Sequence, residues 1–160
     1  MLLLSGTARP SSGRACTERR PQQVAIAMMP SALPPTAGIG LKPEHYAPML
    51  AACNGDGGAM SDWRTNWVEV HPQNYLCAGG PPHRWLSEVA SHVPLSFHST
   101  ALSLGSADGP DLRELDQLAA LAARYQPASV SDHLSWSNAG GEKFPDLLPV
   151  PYTRAANAAN

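Results

Sequence analysis

The sequence predicts a parallel α/β fold in which strand and helix alternate four times between residues 37 and 160. Two observations predict it. Short apolar runs with a period of two recur at Trp67–His71, Leu95–Ser99 and Ala128–Leu134, and runs with helical spacing lie between them. Glycine and proline stand at nearly every junction, as strand-helix-strand connections require.

Residues 1–36 read as a disordered leader. Arg9-Pro10-Ser11-Ser12-Gly13, Arg19-Arg20-Pro21 and Pro34-Pro35 break it, and no period of 2 or 3.6 survives between them. Its one apolar stretch, Val24–Met29, reads as part of that floppy tail, with a short helix or a translation start at Met28 or Met29 as the alternatives. From Gly38 the pattern becomes regular. Gly38-Ile39-Gly40-Leu41 is a short strand, and Pro43 opens a helix at a position where its missing N–H costs nothing. That helix runs to about Cys53, and Asn54–Gly58 ends it. Trp67–His71 follows as the second strand. Pro81-Pro82 starts the second helix, with Trp85, Leu86 and Val89 on one face and His83 and His92 in solvent. Leu95–Ser99 is the third strand. The third helix, 111–125, carries Leu112, Leu115, Leu118, Ala119 and Ala122 at helical spacing until Gln126-Pro127 stops it. Ala128–Leu134 is the fourth strand. Ser137–Gly141 reads as a loop, and the residues up to Asn160 begin a unit that does not finish. The Ala- and Asn-rich end predicts a truncated or frame-shifted reading frame. Four such units fit either an open doubly wound sheet or half of a (β/α)8 barrel. Gly38-x-Gly40 lacks the third glycine of a dinucleotide fingerprint.

Composition excludes several classes. A net charge of −2 offers no polyanion-binding surface, so nucleic acid is not an expected partner. No apolar run reaches the roughly 20 residues of a membrane helix. Three widely spaced cysteines, Cys16, Cys53 and Cys77, suit neither a disulfide framework nor a zinc site, and they point to a reducing cytoplasm.

Side chains alternate across a strand, so each strand can be sorted by parity. Helices need apolar surface to pack on, which turns Val68, Val70, Leu95 and Phe97 toward them. Glu69, His71, His98 and His133 then face the opposite side, with Ser129 and Ser131. Val130, Leu134 and, awkwardly, Asp132 go with the helices. Imidazoles and a carboxylate gathered at the C-terminal ends of parallel strands suit a first-row transition metal. Ser131-Asp132-His133 has the letters of a triad, but adjacent strand residues point to opposite faces and form no relay. His45, beside Tyr46, is a rim residue and a candidate for substrate contact. Glu44 and Glu88 are helix-surface carboxylates.

Five ordered stretches resemble one family, the multinuclear non-heme iron-dependent oxidases. Gly38-Ile39-Gly40-Leu41-Lys42-Pro43-Glu44-His45-Tyr46 is similar to its opening motif. Trp67–Tyr75 is similar to its second-strand motif, Phe97–Ser106 to its third and Val130–Trp136 to its fourth. Asp146-Leu147-Leu148-Pro149-Val150-Pro151-Tyr152-Thr153 resembles the segment leading into the next helix. The resemblance implies a TIM barrel, of which residues 37–160 would be the N-terminal half, about four β/α units. It implies two or three irons and dioxygen as co-substrate. It also implies a precursor peptide whose cysteines are oxidised, presented by a partner protein, as for the methanobactin-forming oxidase. His98 and His133 fall where the family places iron-binding histidines. Glu69, His71 and Asn74 fall in a motif near the pocket, and Gln73 stands where many relatives carry Glu. A whole barrel needs about 250 residues, so two open strand edges and self-association through them are expected. Two other readings stand beside the oxidase. One is a different divalent-metal barrel enzyme, of the isomerase or endonuclease kind. The other is an inactive remnant or a peptide-binding module.

Overall fold

A computed structural model of the chain describes residues 32–55 and 65–159. The leader up to residue 31, with the alternative helix or start near Met28, lies outside the described residues. The elements run β1 (Ile39–Gly40), α1 (Tyr46–Cys53), β2 (Val68–Val70), α2 (Pro81–Ala90), β3 (Leu95–His98), α3 (Leu112–Tyr125) and β4 (Ser129–Ser131). A hairpin of β5 (Ser135–Ala139) and β6 (Glu142–Pro149) follows, then α4 (Arg154–Ala159).

Local chemistry sets these boundaries. Pro43 opens a 3-10 turn, Pro43–His45, that feeds α1, and Gly55 turns the chain away with φ of 80°. Gly80, at φ 94°, redirects the chain into α2, whose first turn holds Pro81 and Pro82. The Asp111 carboxylate caps α3 by accepting from the N–H groups of Arg113 and Glu114 at 3.1 and 3.2 Å. Gln126 ends it in the left-handed region at φ 48°, and Pro127 forbids its continuation.

Strands β1 to β4 form one parallel sheet in sequential order. Val68 and Val70 pair with Leu95 and Phe97, and Phe97 pairs with Val130. A doubly wound sheet reverses its order at a switch point, whereas a (β/α)8 barrel adds each strand to the same edge. The four strands are thus compatible with part of a barrel. The core lies on one face of the sheet. There Val68, Val70, Leu95 and Phe97 are buried against Met49 and Leu50 of α1, Leu86 and Val89 of α2, and Leu118 and Leu121 of α3. The sequence orients these strand residues correctly.

Four sequence expectations need correction. The apolar stripe of α3 is Leu118, Leu121, Ala122 and Tyr125, while Leu112 is 67% exposed. At 3.6 residues per turn Leu112 and Ala119 point well over a right angle away from that stripe, and Leu115 sits at its margin. The stretch read as a loop at Ser137–Gly141 is the heart of a hairpin. Gly140 and Gly141 both take positive φ, 58° and 82°, as a two-residue turn between twisted strands requires. Its second strand was hidden by Pro145 and Pro149, and an irregularity between Trp136 and Asn138 interrupts the pairing. The fourth strand stops at Ser131, so His133 and Leu134 lie beyond it, and Leu134 is exposed. Val130 shares its row with Phe97 yet stays 39% exposed, because β4 is the edge of the sheet. Lastly, His83 is not in solvent. It is 3% exposed, held between the Cys77 carbonyl at 2.7 Å and the Tyr125 hydroxyl at 2.8 Å, and stacked on the Tyr125 ring.

Candidate metal centre

The sheet face turned away from the helices is polar, and strand pairing arranges its side chains in rows. Gly40, Glu69, Ser96 and Ser129 are successive register partners and form the lower row. Two residues further along each strand come His71, His98 and Ser131, with His98 and Ser131 paired directly. His133 stands two residues beyond Ser131. Parallel register thus brings His71 and His98 to the C-terminal edge of the sheet, the end where barrel enzymes build their sites, and the segment that leaves the ladder after Ser131 adds His133.

A direct ring-to-ring contact there joins His98 and His133. Their Nε2 atoms lie 2.9 Å apart, and the ring centroids are 4.7 Å apart in an edge-to-face arrangement. Without a metal, one Nε2–H donates to the other nitrogen. Two imidazoles bound cis on a six-coordinate ion, each with a bond of about 2.1 Å, would place their nitrogens about 3 Å apart. The nitrogen separation is common to both states. The His98 Nδ1 is 2.9 Å from the Ser131 hydroxyl. His71 is the third ring, its centroid 6.0 Å from that of His98. The convergence expected for Glu69, His71, His98 and His133 is thus only partly met. Among the described residues no group of three or more His, Cys, Asp or Glu side chains is close enough to hold a metal ion. The donor set fits a metal as a pair, not as a complete shell.

Other candidates go elsewhere. His45 Nδ1 contacts the Gly40 carbonyl at 3.1 Å and the Lys42 N–H at 3.3 Å, closing the turn between β1 and α1. Asn74 lines a separate cavity of about 520 Å³ with Leu41, Tyr46, Tyr75 and Trp85. Gln73 donates to the buried Ser99 hydroxyl at 2.8 Å, and its own Oε1 is buried without a hydrogen-bond partner. The triad letters form no relay, as parity predicts. Ser131 meets His98, and Asp132 accepts from the His133 backbone N–H at 2.6 Å rather than from a ring.

Sequence reasoning missed two supports. Asp132, assigned to the helical side, turns its carboxylate to the backbone N–H of Leu102 at 3.1 Å. It thereby leaves the ladder and ends β4. The other is the seat of the hairpin on the loop after β3. The Ser103 hydroxyl donates to the Asn138 side-chain carbonyl at 2.6 Å and accepts from the N–H groups of Ser137 and Asn138. Ser106 donates to the Asn138 backbone carbonyl, Asp108 accepts from Gly140, and Lys143 pairs with Asp111 at 2.7 Å. The Lys143 ammonium, followed by the two backbone donors, holds the Asp111 carboxyl below its ordinary range, and Asp111 in turn raises Lys143. Serine-rich Ser99–Ser106 was the one available signal for this seat. Between loop and hairpin lies a cavity of about 360 Å³ lined by Thr100, Ala101, Asn138 and Phe144 among others.

A family model described as RiPP precursor modification enzyme MbnB/TglH/ChrH matches residues 36–159. The chain is 48% identical over 122 residues to a UPF0276 protein of Caulobacter sp. (strain K31), an alignment covering 76% of this chain and 41% of that relative. It is 44% identical over 122 residues to a UPF0276 protein of Caulobacter vibrioides (strain NA1000 / CB15N), covering 76% and 40%. To a UPF0276 protein of Paraburkholderia phytofirmans it is 42% identical over 118 residues, covering 74% and 36%. The chain spans about two fifths of the length of the curated relatives it matches.

Proposed function

We propose that this chain, which belongs to the family of RiPP precursor modification enzymes MbnB/TglH/ChrH, carries two ligands of a non-heme iron site that serves oxidation of a precursor-peptide cysteine by dioxygen. The observation that carries this reading is the 2.9 Å separation of the His98 and His133 Nε2 atoms at the C-terminal edge of a parallel sheet. Imidazole nitrogen is a donor of intermediate softness and suits iron. Iron held there would supply the one-electron redox steps that carry electrons from a peptide thiol to dioxygen.

The remaining donors, for two or three ions in all, come from the length that the relatives have beyond the matched part, in a barrel that continues the sequential strand order. His71, His133 and Ser131 are exposed, so a peptide can reach the imidazoles from the open side of the sheet. Glu69, one row lower, faces the same side as a pocket carboxylate, and His71 closes the flank nearest His98. His45 and Asn74 stand further off, on the rim, where a longer peptide would pass. A peptide-presenting partner protein belongs to the same reading.

Metal analysis tests the ligand assignment. The full-length homologous enzyme purified from iron-supplemented cells should retain iron, and alanine at the positions aligned with His98, His133 or both should abolish most of it. Unchanged iron in the double variant removes both residues as ligands. Oxygen uptake with a cysteine-containing peptide, measured on the full-length homologous enzyme, separates an oxidase from a hydrolytic or isomerising metal enzyme, which consumes none.

A further inference from the structure

We infer that Ser131 is a positioning residue that locks His98 in the Nδ1–H tautomer and so aims the Nε2 lone pair at His133. The inference deepens the iron reading above, but it concerns a proton position that exists without metal. Three distances carry it. Ser131 Oγ is 2.9 Å from His98 Nδ1 and 3.5 Å from the Phe97 carbonyl oxygen, and His98 Nε2 is 2.9 Å from His133 Nε2.

A hydroxyl has one proton to give. If Ser131 donates it to Nδ1, the Phe97 carbonyl loses this donor and His98 must carry its own proton on Nε2. That arrangement covers the nitrogen a metal needs. If Nδ1–H donates to Oγ instead, the hydroxyl proton turns to the Phe97 carbonyl, and the order imidazole, hydroxyl, carbonyl has a donor at every step. A backbone carbonyl accepts but has no proton to return, so only this order gives the Phe97 carbonyl the Ser131 proton. His98 Nε2 is then a bare acceptor, and in the metal-free state it takes the Nε2–H of His133.

The support is rigid because the ladder delivers it. Ser131 is the direct register partner of His98 on the neighbouring strand, so the hydroxyl is held beside Nδ1 by backbone pairing rather than by a flexible loop. Partners on the far ring nitrogen commonly fix the tautomer and orientation of ligating histidines, and their loss typically costs 10–100-fold in metal affinity. The resemblance gives His98 and His133 an iron-binding role and assigns none to Ser131, although Ser131 lies in the matched stretch.

Long-range proton–nitrogen correlation spectra of the ¹⁵N-labelled, chelator-treated chain read the tautomer directly, at a pH where imidazole is neutral. His98→Gln assigns the ring. The expected result is His98 protonated at Nδ1 and bare at Nε2. Ser131→Ala should lose that single-tautomer signature and give a mixed ring, and Ser131→Thr, which keeps the hydroxyl, should restore it. A wild-type His98 protonated at Nε2 overturns the inference, as does a Ser131→Ala spectrum identical to wild type. No variant is needed for the first of these, so a folding defect cannot hide it. If the tautomer is as expected and the full-length homologous enzyme binds no iron, the iron reading fails and the role of Ser131 stands.

Discussion

Asp132 Oδ2 accepts the backbone N–H of Leu102 at 3.1 Å, across a separation of 30 residues, while Oδ1 takes the N–H of His133 at 2.6 Å. One carboxylate thus ties the loop that follows His98 to the segment that carries His133. Asp132→Ala strands the Leu102 N–H, a cost of about 1–3 kcal/mol for an unsatisfied buried donor. It also frees the imidazole pair, and metal affinity should fall about 10–100-fold. Asp132→Asn keeps one acceptor oxygen and should fall between the alanine variant and wild type. Metal titration paired with urea denaturation checks both. Affinity unchanged in Asp132→Ala would show that the tether supports the fold alone.

Tyr46 and Tyr75 share a buried hydrogen bond of 2.6 Å between hydroxyl oxygens, joining α1 to the turn after β2. Replacing either one with Phe leaves its partner short of a bond, at about 1–3 kcal/mol, whereas replacing both removes the mismatch. A double-mutant cycle should therefore show the pair costing less than the sum of the singles. Burial first, and then the Tyr46 hydroxyl, push the Tyr75 phenol well above the ordinary tyrosine range. A raised folded-state pKa contributes stability that is intact below the unfolded value of about 10 and lost as pH climbs above it. On an alkaline titration one phenolate should appear only together with unfolding. Additive single variants, or free ionisation of all described tyrosines in the folded chain, would argue against the coupling.

Gly38 owes its place to a close approach rather than to an unusual φ. A Cβ added there would overlap the Trp67 indole, whose Nε1–H donates to the Thr36 carbonyl at 2.8 Å. Gly38→Ala must push the ring aside, at about 1–3 kcal/mol for overpacking. Tryptophan fluorescence should report the displaced indole. A smaller side chain at position 67 should recover part of the lost stability, and no recovery would place the strain elsewhere.

How far the sequence was legible follows from which forces it records. Val68, Val70, Leu95 and Phe97 alternate with polar residues, and a period of two fixes both their burial and the face that Glu69 and His98 share. Proline and glycine mark the entries to α1 and α2 and the exit from α3 because their backbone limits act locally. What was not legible depends on partners distant in the chain. His83 is buried only because Tyr125, 42 residues on, reaches its ring, and nothing in Pro81–Ala90 foretells that. Asp132 breaks its strand for the Leu102 N–H, and the hairpin is seated by serines that read as ordinary loop polarity. For the site, parity alone aligned His71 and His98. The approach of His133 to His98 required the chain to leave the ladder after Ser131.

The hairpin supplies the last prediction, since its charged anchor doubles as a helix cap. Asp111 caps α3 through Oδ1 and holds Lys143 of β6 through Oδ2. The Lys143 side chain is 65% exposed, so the ion pair itself is worth little to global stability, at most about 1 kcal/mol. Lys143→Met should leave the melting midpoint nearly unchanged while faster amide exchange appears across β5 and β6. Asp111→Ala loses the cap as well, about 1 kcal/mol more, and should lower the midpoint. Asp111→Asn keeps an acceptor for the cap and loses the charge, so it should resemble Lys143→Met. The Asp111 carboxyl is held below its ordinary range. Its stabilising share is therefore complete above the unfolded value of about 3.9 and is lost as pH falls below that. Hairpin exchange in wild type should rise in the same acid window, and in Lys143→Met the acid step should shrink. Equal acid sensitivity in the two proteins would assign the hairpin's seat to the Ser103 and Ser106 hydroxyls instead.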